Sequence, residues 1–333
     1  MSEDTEAIPL DDAVALIAAA LKASGVDGKN AGSVARALVS AEAEGQVGHG
    51  FSRVSDYAAQ VRSGKVSGTA RPSVTETGAA SALIDAANGF AFPALDLAVS
   101  WGVSRAEEAG CATMGVRRSH HCGALSVQVE KIARGGCIGL MVANSPPAIA
   151  PWGSKTPVFG TNPIAFAAPR KNAPPLVIDL SLSRVARGKV MHARKSGQAI
   201  PEGWALDRDG QPTTDPAAAL EGSMVPIGEA KGTALALMVE ILAAVVPGAN
   251  ISTEVSSYFA AEGPPPGSGQ FLMAIRPQGD GFAERLETLL GLIEGLDGAR
   301  LPGQRRAVAI ERAQRHGLNV TRHYLETARN LAA

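Results

Sequence analysis

The chain of 333 residues carries 31 Lys+Arg against 32 Asp+Glu, a formal net charge of -1, with 45% hydrophobic and 19% charged residues. That balance leaves no basic footprint for nucleic acid, excludes a chain dominated by disorder, and provides core enough for about two domains or one elaborate one. The longest apolar runs, Cys137 to Ala143 and Ala234 to Val246, are too short to span a bilayer.

The N-terminal MSEDTEAIPLDD is acidic and lacks both the basic n-region and the cleavage site of a secretory signal, so the cytoplasm is the expected compartment. From Asp11 to Gly25, Val14, Ile17, Ala18 and Leu21 share one helical face, with Asp11 or Asp12 as N-cap. A second helix is predicted from about Ala31 to Glu44. It stops at Gly45, because Gly45-Gln-Val-Gly-His-Gly50 is too glycine-rich to continue it, which puts His49 in a turn. A strand at Ala82 to Asp85, a helix from Pro93 to Ala109 and a strand at Ala112 to Val116 follow. Cys111, Cys122 and Cys137 are an odd number without CxxC spacing, which fits reduced thiols and no structural zinc.

Cys137 to Ala143 reads as a buried strand, with two more at Ile164 to Ala168 and Leu176 to Leu180. The loop between the first two, Asn144 to Pro163, is longer than an ordinary connection and is expected to line a site. A helix is predicted around Ser183 to Arg194, and Gly197 to Pro226 as a surface loop. The helix from Lys231 to Val246 is apolar on nearly every side, which places it in the centre of the molecule or at a subunit contact. Ser252 to Gly269 reads as an extended arm, followed by a strand at Phe271 to Ile275 and helices near Gly281 to Gly295, Pro302 to His316 and Thr321 to Leu331.

The chain has no GxGxxG after a strand, no GxxxxGK[ST] loop, no GxSxG elbow and no HExxH helix. Chemistry concentrates instead in four places: Gly48-His49-Gly50 with Arg53, Arg118 to Gly123, Gly160 to Pro163, and Ala230-Lys231-Gly232. His121 falls at a strand-to-helix junction, where free backbone amides suit an anion and an imidazole can exchange a proton near neutrality. The alternative is a buried structural histidine, and spacing alone leaves the two even; a metal at His120-His121-Cys122 is disfavoured because adjacent side chains diverge. His49 and Arg53 would share one face of a helix starting at Gly50, the guanidinium serving as a carboxylate clamp, against the plainer reading of solvated groups. Lys231 would be partly buried, polarising a carbonyl, neutralising phosphate or simply pairing with an acid. Thr161-Asn162-Pro163 is by itself a turn signal. Pro302-Gly-Gln-Arg-Arg306 sets two guanidiniums at a helix start, a phosphate site or a solvated basic turn.

In this order the clusters resemble the malate/L-lactate dehydrogenase family of NAD(P)-dependent oxidoreductases, across nearly the whole chain. The most specific stretches are Gly139-Leu-Met-Val-Ala-Asn-Ser145, Ala150-Pro-Trp-Gly153, Phe159 to Pro169, Pro201-Glu-Gly-Trp204, Pro212 to Pro216 and Lys231-Gly232. The resemblance implies a non-Rossmann α/β fold with a mixed or antiparallel sheet domain over 76–276, helical parts at 1–75 and 277–333 that pack together, and a homodimer or larger assembly. It implies His121 as proton donor, His49 as the alternative acid and Lys231 as a relay or phosphate-side group. Gly48 stands where the family usually has serine. Arg53, Thr161, Arg187 and Gly188 match substrate-side positions. His121, Cys122, Gly123, Ala124, Leu125, Asp179, Leu180 and Ser181 match cofactor-side ones. Arg305 and Arg306 would suit a 2′-phosphate, giving NADP with NAD as the alternative. The expected reaction is hydride transfer between nicotinamide and C2 of a small 2-oxo or 2-hydroxy acid, malate-, lactate- or sulfolactate-like, with Arg117 and Arg118 suited to a second anionic group. The alternatives are an NADPH-dependent reductase of cyclic imines (piperideine- or pyrroline-2-carboxylate) and a non-catalytic binding protein on this fold.

Overall fold

In chain order the elements are β1 (Thr5–Ile8), α1 (Leu10–Ala23), α2 (Gly28–Ala43), α3 (Val54–Arg62), β2 (Ser73–Gly78), β3 (Ser81–Asp85), α4 (Ala91–Ala109), β4 (Cys111–Ser119), α5 (Leu125–Arg134), β5 (Ile138–Ala143), β6 (Ile164–Ala168) and β7 (Leu176–Leu180). They continue with α6 (Arg187–Lys195), β8 (Ala205–Leu206), β9 (Pro212–Thr213), α7 (Pro216–Glu221), β10 (Ser223–Met224), α8 (Ala230–Glu240), β11 (Ser268–Ile275), α9 (Phe282–Glu294), α10 (Gln304–His316), β12 (Leu318–Thr321) and α11 (Arg322–Ala332). The structure, a computed structural model, describes residues 4–333, the side chain of residue 195 excepted.

The central sheet has the order β2-β3-β4-β11-β5-β6-β7 and is mixed, with β3 and β4 parallel and every other neighbour antiparallel. One face is covered by α4 and α5, whose Leu95, Ala98, Val129 and Ile132 pack on Ile84, Met114, Met141 and Leu272. The other face meets α8 and the turn of π-helix that follows it at Ile241–Val245, through Val239, Ala243, Val142 and Phe271. A separate core joins α1 and α2 to α11 through Ile17, Leu21, Leu38, Val320 and Leu325, and β1 pairs there with β12. No helix among the described residues is long and apolar enough to cross a membrane.

Four expectations need correction. The first helix is capped by Pro9, with no side-chain cap from Asp11 or Asp12, which sit in its first turn instead. The helix placed at Ser183 starts at Arg187, because Ser183 is held in a bridge to Pro226. Gly197 to Pro226 contains the small sheet β10-β8-β9 and α7, since Asp215 caps a helix with Pro216 in its first turn. Of the two places expected for the helix at Lys231, the centre of the molecule or a subunit contact, the first does not hold for the whole helix. Leu237, Met238, Ile241, Val245 and Val246 are exposed on one side, while Ala236, Val239 and Ala243 are buried on the other.

Candidate active site

β4 ends at Ser119, and the next two residues, His120 and His121, are buried against Tyr57 of α3 and Tyr258 of the arm before β11. Gly50 is the device that brings His49 and Arg53 there. Single 3₁₀ turns over Val47–His49 and Phe51–Arg53 are separated by a kink at Gly50, φ -109° and ψ -130°. The expectation of one helix carrying both residues is therefore wrong; the pair meets because the chain folds back, with Arg53 Nε donating to the Gly48 carbonyl at 2.8 Å. Glu42 Oε2 accepts the Phe51 N–H at 2.8 Å, and a Cβ at position 50 would lie 1.9 Å from that oxygen, so only glycine fits.

The His49 ring stacks on His121 with centroids 5.1 Å apart. Behind it, Tyr57 Oη and His121 Nδ1 are 2.6 Å apart. With the Nε2 tautomer of His121, the phenol O–H donates to Nδ1 and leaves the imidazole's own proton on Nε2. Burial holds the Tyr57 phenol well above its usual range, which keeps it a neutral donor. His120 is fixed in the same way: Gln60 Nε2 donates to the carbonyls of Tyr258 and Ala260, so Gln60 Oε1 accepts from His120 Nε2–H at 3.0 Å.

All three imidazoles are kept neutral. Burial first, then the Arg53 charge, lowers His49 to about 4; burial, then Lys65 and Arg53, lowers His120 to about 3. His121 is driven well below the ordinary histidine range by burial, with Arg53, His49 and His120 adding to it. The Nδ1 atom of His49 is buried without a hydrogen-bond partner. Such an atom fits a bound molecule that brings its own donor.

His49, Arg53 and His121 are thus brought together, and Cys122 lies beside them, its thiol pushed up to about 12 by burial and by the Asp179 charge. The stretch from His121 to Leu125 is buried throughout. One of the amides at this junction is taken: Asp179 Oδ2 accepts Ser126 N–H at 2.9 Å, in the first turn of α5. Leu180 is exposed at the end of β7, and Ser181 bonds to Ser183. Thr161 lies in the long loop with its N–H on Ser145 Oγ. That loop is fastened by the buried carboxylate of Glu240, which accepts from Asn162 Nδ2 and from the N–H and Oγ of Ser252. Arg187 donates to the carbonyls of Pro147 and Leu220, and Gly188 next to it is exposed.

Lys231 was expected partly buried; it is exposed, because the helix it opens turns its apolar flank outward. Arg306 is engaged by two carboxylates, Glu44 at 2.7 Å and Glu130, whereas Arg305 is exposed. Arg117 and Arg118 both pair with Asp85 at the end of β3.

Sequence reasoning missed Tyr57, Tyr258, Phe259 and Gln60. Tyr57 stands four residues after Arg53, the helical spacing that sets two side chains on one face. Tyr258-Phe259 is an aromatic pair inside a Gly/Pro/Ser-rich arm, in a chain only 4% aromatic. Either feature marks a wall.

The malate/L-lactate dehydrogenase family model matches residues 8–328. The chain is 48% identical over 301 residues to a (2R)-3-sulfolactate dehydrogenase (NADP(+)) of Chromohalobacter salexigens, covering 90% of both chains. It is 41% identical over 303 residues to a Delta(1)-pyrroline-2-carboxylate/Delta(1)-piperideine-2-carboxylate reductase of Pseudomonas syringae pv. tomato, covering 90% of this chain and 88% of that one. Among solved structures, the delta1-piperideine-2-carboxylate reductase of Pseudomonas syringae superposes with a TM-score of 0.93 at 38% identity over 98% of this chain and 100% of the other. A mixed sheet shared over that length, together with a model match running from β1 into α11, leaves one assignment: the chain belongs to the malate/L-lactate dehydrogenase family.

Proposed function

We propose that the protein is a cytoplasmic, NADP-dependent oxidoreductase that moves hydride between nicotinamide and C2 of a small 2-oxo or 2-hydroxy acid, sulfolactate-like before malate- or lactate-like. The observation that carries this reading is the constellation itself: one guanidinium, Arg53, set against the neutral, Tyr57-backed His121. The 48% identity to an NADP-dependent sulfolactate dehydrogenase supports the cofactor and the substrate class.

Arg53 binds the substrate carboxylate in the plane of its guanidinium. That places the 2-oxo group toward the stacked imidazoles, and His121 Nε2–H donates to the oxygen. NADPH, when bound, supplies the hydride. As charge develops on the oxygen, the His121 Nε2 proton passes to it while the Tyr57 O–H passes its own to Nδ1, and water returns a proton to the phenol, so the proton consumed with each hydride comes from solvent. A substrate carboxylate on Arg53 also cancels part of the positive field around His121 and His49. The unpartnered Nδ1 of His49 is suited to a donor on the bound ligand.

Residues from Cys122 to Leu125 with Asp179, Leu180 and Ser181 would hold the dinucleotide, without a Rossmann unit, within the 76–276 sheet domain, and Thr161, Arg187 and Gly188 the substrate side. Lys231 would lie at the phosphate side or relay protons. Since Arg306 is already neutralised by Glu44 and Glu130, the 2′-phosphate would fall to Arg305. The exposed Leu237, Met238, Ile241, Val245 and Val246 would be covered by a second copy in a homodimer. A second reading, reduction of a cyclic 2-carboxylate imine, is favoured by the 0.93 TM-score with the piperideine-2-carboxylate reductase.

The test is oxidation of NADPH and NADH by the purified protein with sulfopyruvate, oxaloacetate, pyruvate and piperideine-2-carboxylate. Turnover of an oxo acid is expected to exceed that of the imine; turnover of the imine alone would overturn the ranking, and turnover of none would remove the activity.

A further inference from the structure

The segment from Val255 to Gly267 forms no strand or helix, yet its backbone is tied down. Gln60 Nε2 donates to the carbonyls of Tyr258 at 2.9 Å and Ala260 at 3.1 Å, and Ser63 Oγ to that of Ala261 at 2.7 Å. Lys65 Nζ donates to the carbonyls of Ser257, Ala260 and Glu262 at 2.7, 3.0 and 3.3 Å. Lys65 is only 2% exposed. An ammonium taken out of water onto three carbonyls is a costly anchor, and it fixes the arm to the end of α3.

The fixed arm delivers two rings. Tyr258 lies 5.1 Å from His121, and Phe259 sits over the Arg53 guanidinium at 4.4 Å. With its Cζ 4.4 Å over the Phe259 ring, Nε bound to the Gly48 carbonyl and Nη1 3.5 Å from Asp56 Oδ2, Arg53 keeps its Nη2 side for an incoming carboxylate.

We propose that Phe259 is a specificity-determining residue that locks the plane of Arg53 and so orients the substrate carboxylate, and that Lys65 is a positioning residue acting through the arm. The proposal rests on the oxo-acid reading above for its kinetic arm and on carboxylate binding alone for its second. In the holoenzyme, Phe259→Ala raises KM for the preferred oxo acid roughly 5- to 20-fold while kcat changes less, and Phe259→Trp restores KM because the ring face is restored. Lys65→Met gives a similar rise, and the double variant is no worse than the weaker single one, since both act on one contact. Where Lys65→Met does not fold, Ser63→Ala removes a single anchor and gives a smaller rise.

Calorimetric titration of the NADPH complex with oxamate separates the two readings. Tight binding by the wild type and weakened binding by Phe259→Ala supports the proposal even if no oxo acid turns over, in which case only the reaction assignment fails. Equal oxamate binding by both proteins, or none by the wild type, overturns the proposal whatever the substrate panel shows.

Discussion

The imidazole of His49 stacks on that of His121 with ring centroids 5.1 Å apart and planes 18° from parallel. Two stacked imidazoles, His121 buried and His49 half-buried, both facing the Arg53 charge, are held as neutral rings. The pH dependence follows: kcat/KM for reduction should be flat between about pH 6 and 9, with no inflection near the ordinary histidine value of about 6.5, and should fall only as His49 is protonated around pH 4. A stopped-flow pH series reads this directly, and an inflection near 6.5 would mean that the acid is a charged histidine.

Replacing His121 by Ala should lower kcat by roughly 10²- to 10⁴-fold, the range for a lost proton donor, with NADPH affinity nearly unchanged. Tyr57→Phe keeps the ring packing against Phe90 and Phe92 but frees Nδ1 to carry the imidazole proton. A fall in kcat of roughly tenfold or more with an unaltered melting temperature is expected, since the wrong tautomer then faces substrate. Equal kcat in the Phe variant would show that the phenol is only packing.

Arg53→Lys should raise KM for the acid roughly 10- to 100-fold, because a point charge can neither make the in-plane fork nor keep the bond to Gly48 and the face under Phe259. Initial rates over a range of acid concentrations settle it; an unchanged KM would place the carboxylate elsewhere.

Glu42 gives a stability test with a definite sign. Burial raises its carboxyl from 4.5 to about 7 in the folded protein, opposed only by the Phe51 N–H. Between those values the folded state holds a proton that the unfolded chain has released, so stability falls as pH rises from about 4.5 to 7. Glu42→Gln retains an acceptor for Phe51 and removes the titration. Relative to wild type it should gain about 3 kcal/mol, as an upper bound, between pH 4.5 and 8 in urea unfolding. A pH-independent difference would show that Glu42 titrates normally.

The two neighbouring arginines at the start of α10 separate by role. Arg306→Gln leaves the buried carboxylate of Glu44 with only the neutral donors of Ser126 and Gln46 and should destabilise by roughly 3 kcal/mol without changing the NADPH-to-NADH ratio. Arg305→Ala should leave the melting temperature alone and lower that ratio roughly tenfold, the loss of one charge-assisted contact. The reverse pattern in calorimetry and kinetics would exchange the assignments.

What the sequence made legible was whatever a single period or a single cap decides. Ile17 and Leu21 mark the buried face of α1, and the apolar run before Ala143 marks β5, because each is set by burial of its own residues. Less visible were features settled between distant segments. Gly48-His49-Gly50 reads as a loop, but its kink is dictated by Glu42 approaching Gly50. Arg306 reads as a free cation until Glu44 and Glu130 are seen to reach it. β1 and β12 are too short and too polar to stand out, since each exists only through the other.

That last pairing bears on the order in which the molecule can be made. Glu6 stands opposite Val320, and β1 has β12 as its strand partner. During synthesis the first strand therefore waits, unpaired, until residue 320 has left the ribosome, and the ion pairs of Arg322 with Asp4 and of Arg329 with Glu6 close behind it. A nascent chain stalled before β12 leaves Thr5 to Ile8 without a strand partner beside the apolar flank of α1 and α2, the kind of transiently exposed surface that promotes aggregation.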